Sequence, residues 1–467
     1  MGIIGLLYGL FTVIIVIREL LYIIRVREFR IISGLRMMYA LIYGFIPCSI
    51  LLAYSFNGII TYGIDYSSTG VIKSAVLLGL SIVAYILIDF GYRIRFKHNT
   101  KTNRYKYEES ITPEQNARMI WLIVLCTMIA VISLYLWTKA FGGPYEMAQY
   151  AASIRSGYTI KENGLAFFKH FANISTITAY LSFGLLINRS NNFSIRVFAL
   201  FMFVINSYVK IMYSLIDDGR MTTAIFFIGF PVIYFYYGYL RGRLTLKKLI
   251  VRIAIMLFAG YLLIVFSEGF MNLLRYGEFT MEAKNFDLAA SLRRELGYSF
   301  ESGQKAVELR WNGYEYTFLK DCCSGIFAYF PTGLKPEIAK TSLTYINSIN
   351  LYGTQVQYGS PPDFISTAIY DLGFIGVLLY PIFLGGIIRK LDTFFEFKKK
   401  QSVFNLILFI CLLFRIARII ANASMYNVML SVFYIVIVVL LANLLRKIRV
   451  GTKGERLWKE QKRSQWH

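Results

Sequence analysis

Apolar runs about as long as a bilayer is thick recur along the whole chain, and they constrain its fold more than any other feature. A helix rises 1.5 Å per residue, so roughly 20 apolar residues cross a hydrocarbon core of about 30 Å. Such runs occupy residues 2–17, 38–56, 72–90, 119–141, 165–188, 193–216, 222–240, 249–268, 364–388, 402–421 and 425–445. Apolar residues make up 56% of the 467 positions and charged residues only 16%. A soluble protein would carry about a quarter charged residues. The reading is an all-α polytopic membrane protein of about eleven helices. The first run is short and extends into the Arg18–Glu19 pair. No small-residue cleavage site follows it, so it reads as a span rather than a removable signal peptide.

Lys and Arg set the orientation, because basic loops stay on the cytoplasmic side. Segments 18–37, 91–118, 189–196, 241–252, 389–400 and 446–467 hold 32 of the 50 basic residues. Almost all of the net charge of +23 therefore lies on one face. That face meets anionic headgroups, so the high pI calls for no nucleic-acid partner. Eleven spans then place the N-terminus outside and the C-terminus inside an inner membrane. The organisation is 1–268 as spans one to eight, 269–363 as one large outer loop, 364–445 as the last three spans, and 446–467 as a basic cytoplasmic tail.

Cysteine and histidine exclude several chemistries. Cys48, Cys126 and Cys411 fall within spans, Cys322 and Cys323 are adjacent in the outer loop, and no CxxC spacing occurs. The histidines are His98, His170 and His467. That is too few to build a zinc site outside the membrane. No metal or other cofactor is expected.

The outer loop is where polar chemistry concentrates. At about 95 residues it is far longer than an ordinary connection. Leu288, Leu292 and Leu296 recur at i+4 and mark one face of a helix over 286–296, and 300–310 reads as a second helix. Segment 322–334, with Ile326, Phe327, Phe330 and Leu334, reads as lying flat at the membrane interface. Together these form a small helical unit capping the membrane core.

Arginine is the informative residue on that side, because its planar fork grips phosphate oxygens in pairs. Arg220 sits in the turn Asp217-Asp218-Gly219-Arg220 and either binds a ligand or pairs with Asp217 or Asp218. Arg415 and Arg418 interrupt an apolar stretch near the outer end of a span and share one helix face, facing either a ligand or the headgroups. Arg275 leaves a span, and Arg310 precedes the run Trp311-Asn312-Gly313-Tyr314-Glu315-Tyr316. The aromatics there, with neighbouring Asn and Gln, suit a carbohydrate surface. The alternative is the aromatic belt of any membrane protein. Asp363, after Pro361-Pro362, is either a helix N-cap or a general base. His170, near the outer end of a span, is either structural or a proton acceptor.

Two stretches carry a family resemblance. One is Asp218-Gly219-Arg220-Met221-Thr222-Thr223 opening a span. The other is GSPPDFISTAIYDLGFIGVLLYPIFLGGI, from Gly359 to Ile387. With the large loop between them, the layout resembles the Wzy-type oligosaccharide repeat-unit polymerases of O-antigen, capsule and exopolysaccharide assembly. The resemblance implies a GT-C-like arrangement. It also implies a glycan on undecaprenyl pyrophosphate as donor, a second lipid-linked repeat unit as acceptor, and a possible chain-length regulator as partner. Catalytic candidates are then Arg220, Arg275, Arg310, Asp363 and His170. Substrate-binding candidates are Asp218, Arg415, Arg418, Trp311, Tyr314 and Glu315. An O-antigen ligase shares these features, and a lipid-linked oligosaccharide flippase is the reading from another class.

Overall fold

In the computed structural model the described residues are 1–26, 29–61, 63–94, 113–150, 165–188, 191–218, 220–242, 288–330, 334–353 and 359–447, with isolated residues between 245 and 278. Among them every regular element is helical. The long helices are α1 (Gly2–Val26), α2 and α3 (Ile31–Ala40 and Ile46–Asn57, joined by a π-turn), α4 (Ser68–Arg93) and α5 (Pro113–Thr138). After the short α6 (Pro144–Gln149) and α7 (Lys169–Ala172) come α8 (Ser175–Ile187), α9 (Phe193–Tyr213) and α10 (Arg220–Leu240). Next are α11 (Leu288–Trp311), α12 (Phe318–Ile326), α13 (Glu337–Lys340) and α14 (Leu343–Tyr352). The chain closes with α15 (Phe364–Leu372), α16 (Phe374–Gln401), α17 (Val403–Ile419) and α18 (Met425–Lys447).

Nine helical stretches among the described residues are long and apolar enough to cross a membrane. The first shows why lipid is the solvent. Gly5, Tyr8, Phe11, Ile15 and Ile23 of α1 are buried, yet Leu6, Leu10, Val13, Ile17 and Leu21 on the other face are more than half exposed. A helix apolar on its exposed face as well as its buried one belongs in a bilayer. The chain is a multi-pass membrane protein.

The boundaries differ from the sequence reading in instructive places. The first span runs on past Arg18 and Glu19 to Val26, because Glu19 is fully buried against a counter-charge. The predicted span 364–388 is two helices. Gly373, at φ +64, ends α15, and α16 starts at the next residue. The two expected loop helices are one, α11, whose Leu292 and Leu296 do pack inward. Span 402–421 is the 17-residue α17, and span 249–268 lies outside the continuously described residues.

Close packing of α4 on α16 depends on glycine. A Cβ on Gly91 would strike the Ile382 carbonyl, and one on Gly385 would strike that of Ile88. Small residues allow such backbone approach where lipid supplies no hydrophobic drive. Among the described residues the predicted loop unit has no separate core of its own. Leu296, Phe300, Ala306 and Val307 of α11 join the same buried cluster as α1 to α4. Helices α11 to α14 thus cover one end of the bundle, the loop end.

Candidate functional site

A cavity of about 200 Å³ opens at the loop end, between the starts of α8 and α18 and the ends of α9 and α17. Helix α17 delivers Arg418 from its last turn and Arg415 from the turn before. The preceding Lys169, His170 and Asn173 come from α7 and its junction with α8, and Tyr213 and Asp217 from the end of α9. Asn422, Tyr426, Asn427 and Ser431 complete the wall from the turn and first turns of α18.

Cations dominate this wall. The Arg415 Nε donates to the Tyr434 hydroxyl at 2.9 Å, and its guanidinium lies over that ring at 5.0 Å. Arg418 makes no side-chain hydrogen bond or ion pair with any described residue. Lys210, only 1% exposed, donates from behind to Asn173 Oδ1 at 3.2 Å. Lys335 sits with its Nζ 5.1 Å from the Tyr426 ring centre. Among the described residues the carboxylate in the cavity is Asp217, held by Lys169 at 3.3 Å and by the Tyr213 hydroxyl at 3.2 Å. The His170 ring packs edge-on against Phe167 and Phe433. An excess of positive charge around an open cavity holds an anion, and guanidinium forks suit phosphate oxygens.

The structure thus brings together three of the sequence candidates, His170, Arg415 and Arg418. The others lie elsewhere or outside description. Arg310 donates to the Tyr314 carbonyl at 2.8 Å and the Ile369 carbonyl at 3.4 Å, and stacks on Tyr316 at 4.0 Å. It clamps α11 to the end of α15, away from the cavity. Trp311, Tyr314 and Glu315 follow it and do not line the cavity either. Asp363 is fully buried as the N-cap of α15, accepting from Ile365 N at 2.9 Å, Ser366 N at 3.1 Å and the hydroxyls of Tyr43 and Ser366. The cap geometry of the sequence reading is present. Arg220 opens α10, three residues after Asp217, but its side chain, that of Asp218 and the whole of Arg275 lie outside the described residues.

Sequence reasoning missed Lys169, Lys210, Asn173, Tyr213 and the cavity role of Asp217. Asp217, one of the two sequence alternatives for pairing with Arg220, is held among the described residues by Lys169 and Tyr213. One signal was available: Lys210 interrupts an apolar run three residues before Tyr213, and a lysine at that depth needs a reason.

A second polar cavity, of about 300 Å³, lies between α4 and α11. Its charges largely satisfy one another: Lys73 pairs with Asp65 at 2.8 Å and Glu308 at 2.7 Å, and Lys305 with Glu308 at 2.8 Å. Glu301 differs. Burial pushes its carboxyl up to about 7, opposed by the Tyr352 hydroxyl at 3.1 Å. An acid raised on folding costs stability as pH climbs from its ordinary range through 7, where the folded protein must hold a charge it disfavours. Glu301→Gln should therefore raise the melting temperature of purified protein at pH 8 by a few degrees and leave it unchanged at pH 5. An equal shift at both pH values would contradict the burial argument.

No protein-family model, curated protein or solved structure matches this chain.

Proposed function

We propose that the protein is a glycosyltransferase that polymerises undecaprenyl-pyrophosphate-linked oligosaccharide repeat units at the outer face of the inner membrane. The observation that carries this reading is the cationic cavity at one end of a membrane-embedded bundle, where Arg415, Arg418 and Lys169 surround His170. The donor already stores the required energy in its sugar–pyrophosphate bond, so no nucleotide is needed. An acceptor hydroxyl oxygen attacks the anomeric carbon, and the bond from that carbon to the pyrophosphate oxygen breaks. The leaving undecaprenyl pyrophosphate keeps the electron pair. Arg415 and Arg418 stabilise the charge it develops. The hydroxyl proton passes to His170, which makes no side-chain hydrogen bond with a described residue. Arg220, following Asp217 at the start of α10, is a further candidate for the pyrophosphate.

On this reading the arrangement is GT-C-like. Segment 249–268 and α17 raise the spans to eleven, with the N-terminus outside and the basic tail inside. The test is reconstitution with lipid-linked repeat units followed by gel electrophoresis. A ladder of products is the expected result. Transfer to lipid A instead would make the protein a ligase, and binding without any product would favour a transporter.

Charge stabilisation here falls to arginine. Among the described residues no three His, Cys, Asp or Glu side chains converge as a metal site would require. Activity should therefore survive EDTA. Complete loss, restored by magnesium or manganese, would move that role from arginine to a metal.

A further inference from the structure

Lys210 stands where a lysine is most costly: on α9, only 1% exposed, behind the wall of the cationic cavity. Its ammonium group lies over the Tyr213 ring at 4.6 Å and donates to Asn173 Oδ1 at 3.2 Å. Both of those residues line the cavity. Asn173 is itself only 8% exposed and sits at the junction of α7 and α8.

An amide side chain fits its pocket either way round, and its hydrogen-bond partners decide which. Asn173 Oδ1 accepts a second bond, from the Thr176 hydroxyl at 2.9 Å. A hydroxyl would serve a turned amide equally well, by accepting instead of donating. An ammonium would not, because it has three donors and no acceptor. Lys210 therefore keeps the amide oxygen on its own side. The NH2 end is left over: Asn173 Nδ2 makes no hydrogen bond with a described residue. Asn422 and Asn427, also in the wall, lack such a lock. Their amides bond each other at 2.9 Å, and a pair of amides can turn over together.

We propose that Lys210 is a positioning residue for a hydrogen-bond donor in the cavity. It fixes the Asn173 amide so that the NH2 group, and not the carbonyl, meets an oxygen of the bound anion. The donor then acts with Arg415, Arg418 and Lys169, whereas a carbonyl in its place would repel the anion. A donor held in advance needs no reorganisation when charge arrives. The inference rests on the proposed function only in taking pyrophosphate as the anion.

Titration of the purified full chain with inorganic pyrophosphate tests it. Asn173→Ala should weaken binding about tenfold or more, as expected for losing a hydrogen bond to a charged group. Lys210→Met removes a charge as well as the lock, so the double variant supplies the correction. Without Asn173, Lys210→Met should cost only the effect of the charge. With Asn173 present it should cost several-fold more. Lys210→Arg, which also only donates, should keep most of the affinity. Lys210→Gln both accepts and donates, so it releases the amide and repeats the test should Lys210→Met not fold. A lysine that merely supports the fold predicts a lower melting temperature and the same factor with or without Asn173. That result would overturn the inference, as would wild-type affinity in a folded Asn173→Ala or no pyrophosphate binding by the wild type. Failure of the catalytic reading looks different: Lys210 and Asn173 stay coupled in pyrophosphate binding, but no polymer forms on reconstitution.

Discussion

Arg418→Ala should slow polymer formation by about 10²–10³-fold, the typical effect of removing a preorganised charge-stabilising donor. Melting temperature should stay put, because Arg418 has no side-chain partner among the described residues to lose. Arg418→Lys keeps the charge but not the fork, so it should fall between alanine and wild type. Arg415 makes a useful contrast. Its Nε is anchored on the Tyr434 hydroxyl at 2.9 Å, so Arg415→Ala should lower both rate and stability. Arg310 supplies the opposite control. It holds two backbone carbonyls, so Arg310→Ala should reduce the melting temperature without a specific kinetic defect. Quantified ladders and thermal melts on the same preparations separate the three cases. Wild-type rates from a well-folded Arg418→Ala/Arg415→Lys double variant would remove the cavity from the chemistry. Arg220 would then become the leading arginine.

How much of this was visible in the sequence depends on how local the cause is. Spans follow from hydropathy in a single window, so most of the long helices fall where the apolar runs lie. The Asp363 cap follows from a local pattern too, Pro-Pro-Asp before an apolar run, and its side chain does bond two following amides. Arg415 and Arg418 were visible because charge in an apolar stretch stands out. Lys169, Tyr213 and Asp217 were not, because their meaning arises only when α8, α9, α17 and α18 converge. The break at Gly373 was hidden for another reason. Both α15 and α16 are apolar, so hydropathy runs straight across a residue whose backbone has turned. In α12 and the segment after it, Ile326, Phe330 and Leu334, the residues expected at the membrane interface, are exposed, and packing against α18 adds which side chains are buried.

Arg36→Met should be the most damaging single change to the fold, costing about 3–5 kcal/mol, as expected when one member of a buried ionic group is removed. Its guanidinium donates to Glu19 at 2.8 Å and to Asp89 at 3.1 and 2.7 Å, with side-chain exposures of 6%, 0% and 8% for the three residues. Arg18 also reaches Asp89, so Asp89 keeps a counter-charge when Arg36 is lost. Glu19 does not: its other oxygen is already buried without a hydrogen bond. The stranded group is therefore Glu19 rather than Asp89, and this asymmetry makes the argument testable. Adding Glu19→Leu to Arg36→Met should recover much of the lost stability, since the pair becomes apolar and fills similar space. Adding Asp89→Leu should not, because Glu19 stays stranded and Arg18 loses its partner as well. A double-mutant cycle, read by denaturant unfolding of the purified protein in detergent, measures the coupling. Additive losses for Arg36 and Glu19 would mean that Glu19 is satisfied from elsewhere. Strong coupling would show that this ionic group, deep between α1, α2 and α4, is what lets the first helix carry Arg18 and Glu19 and still run unbroken to Val26.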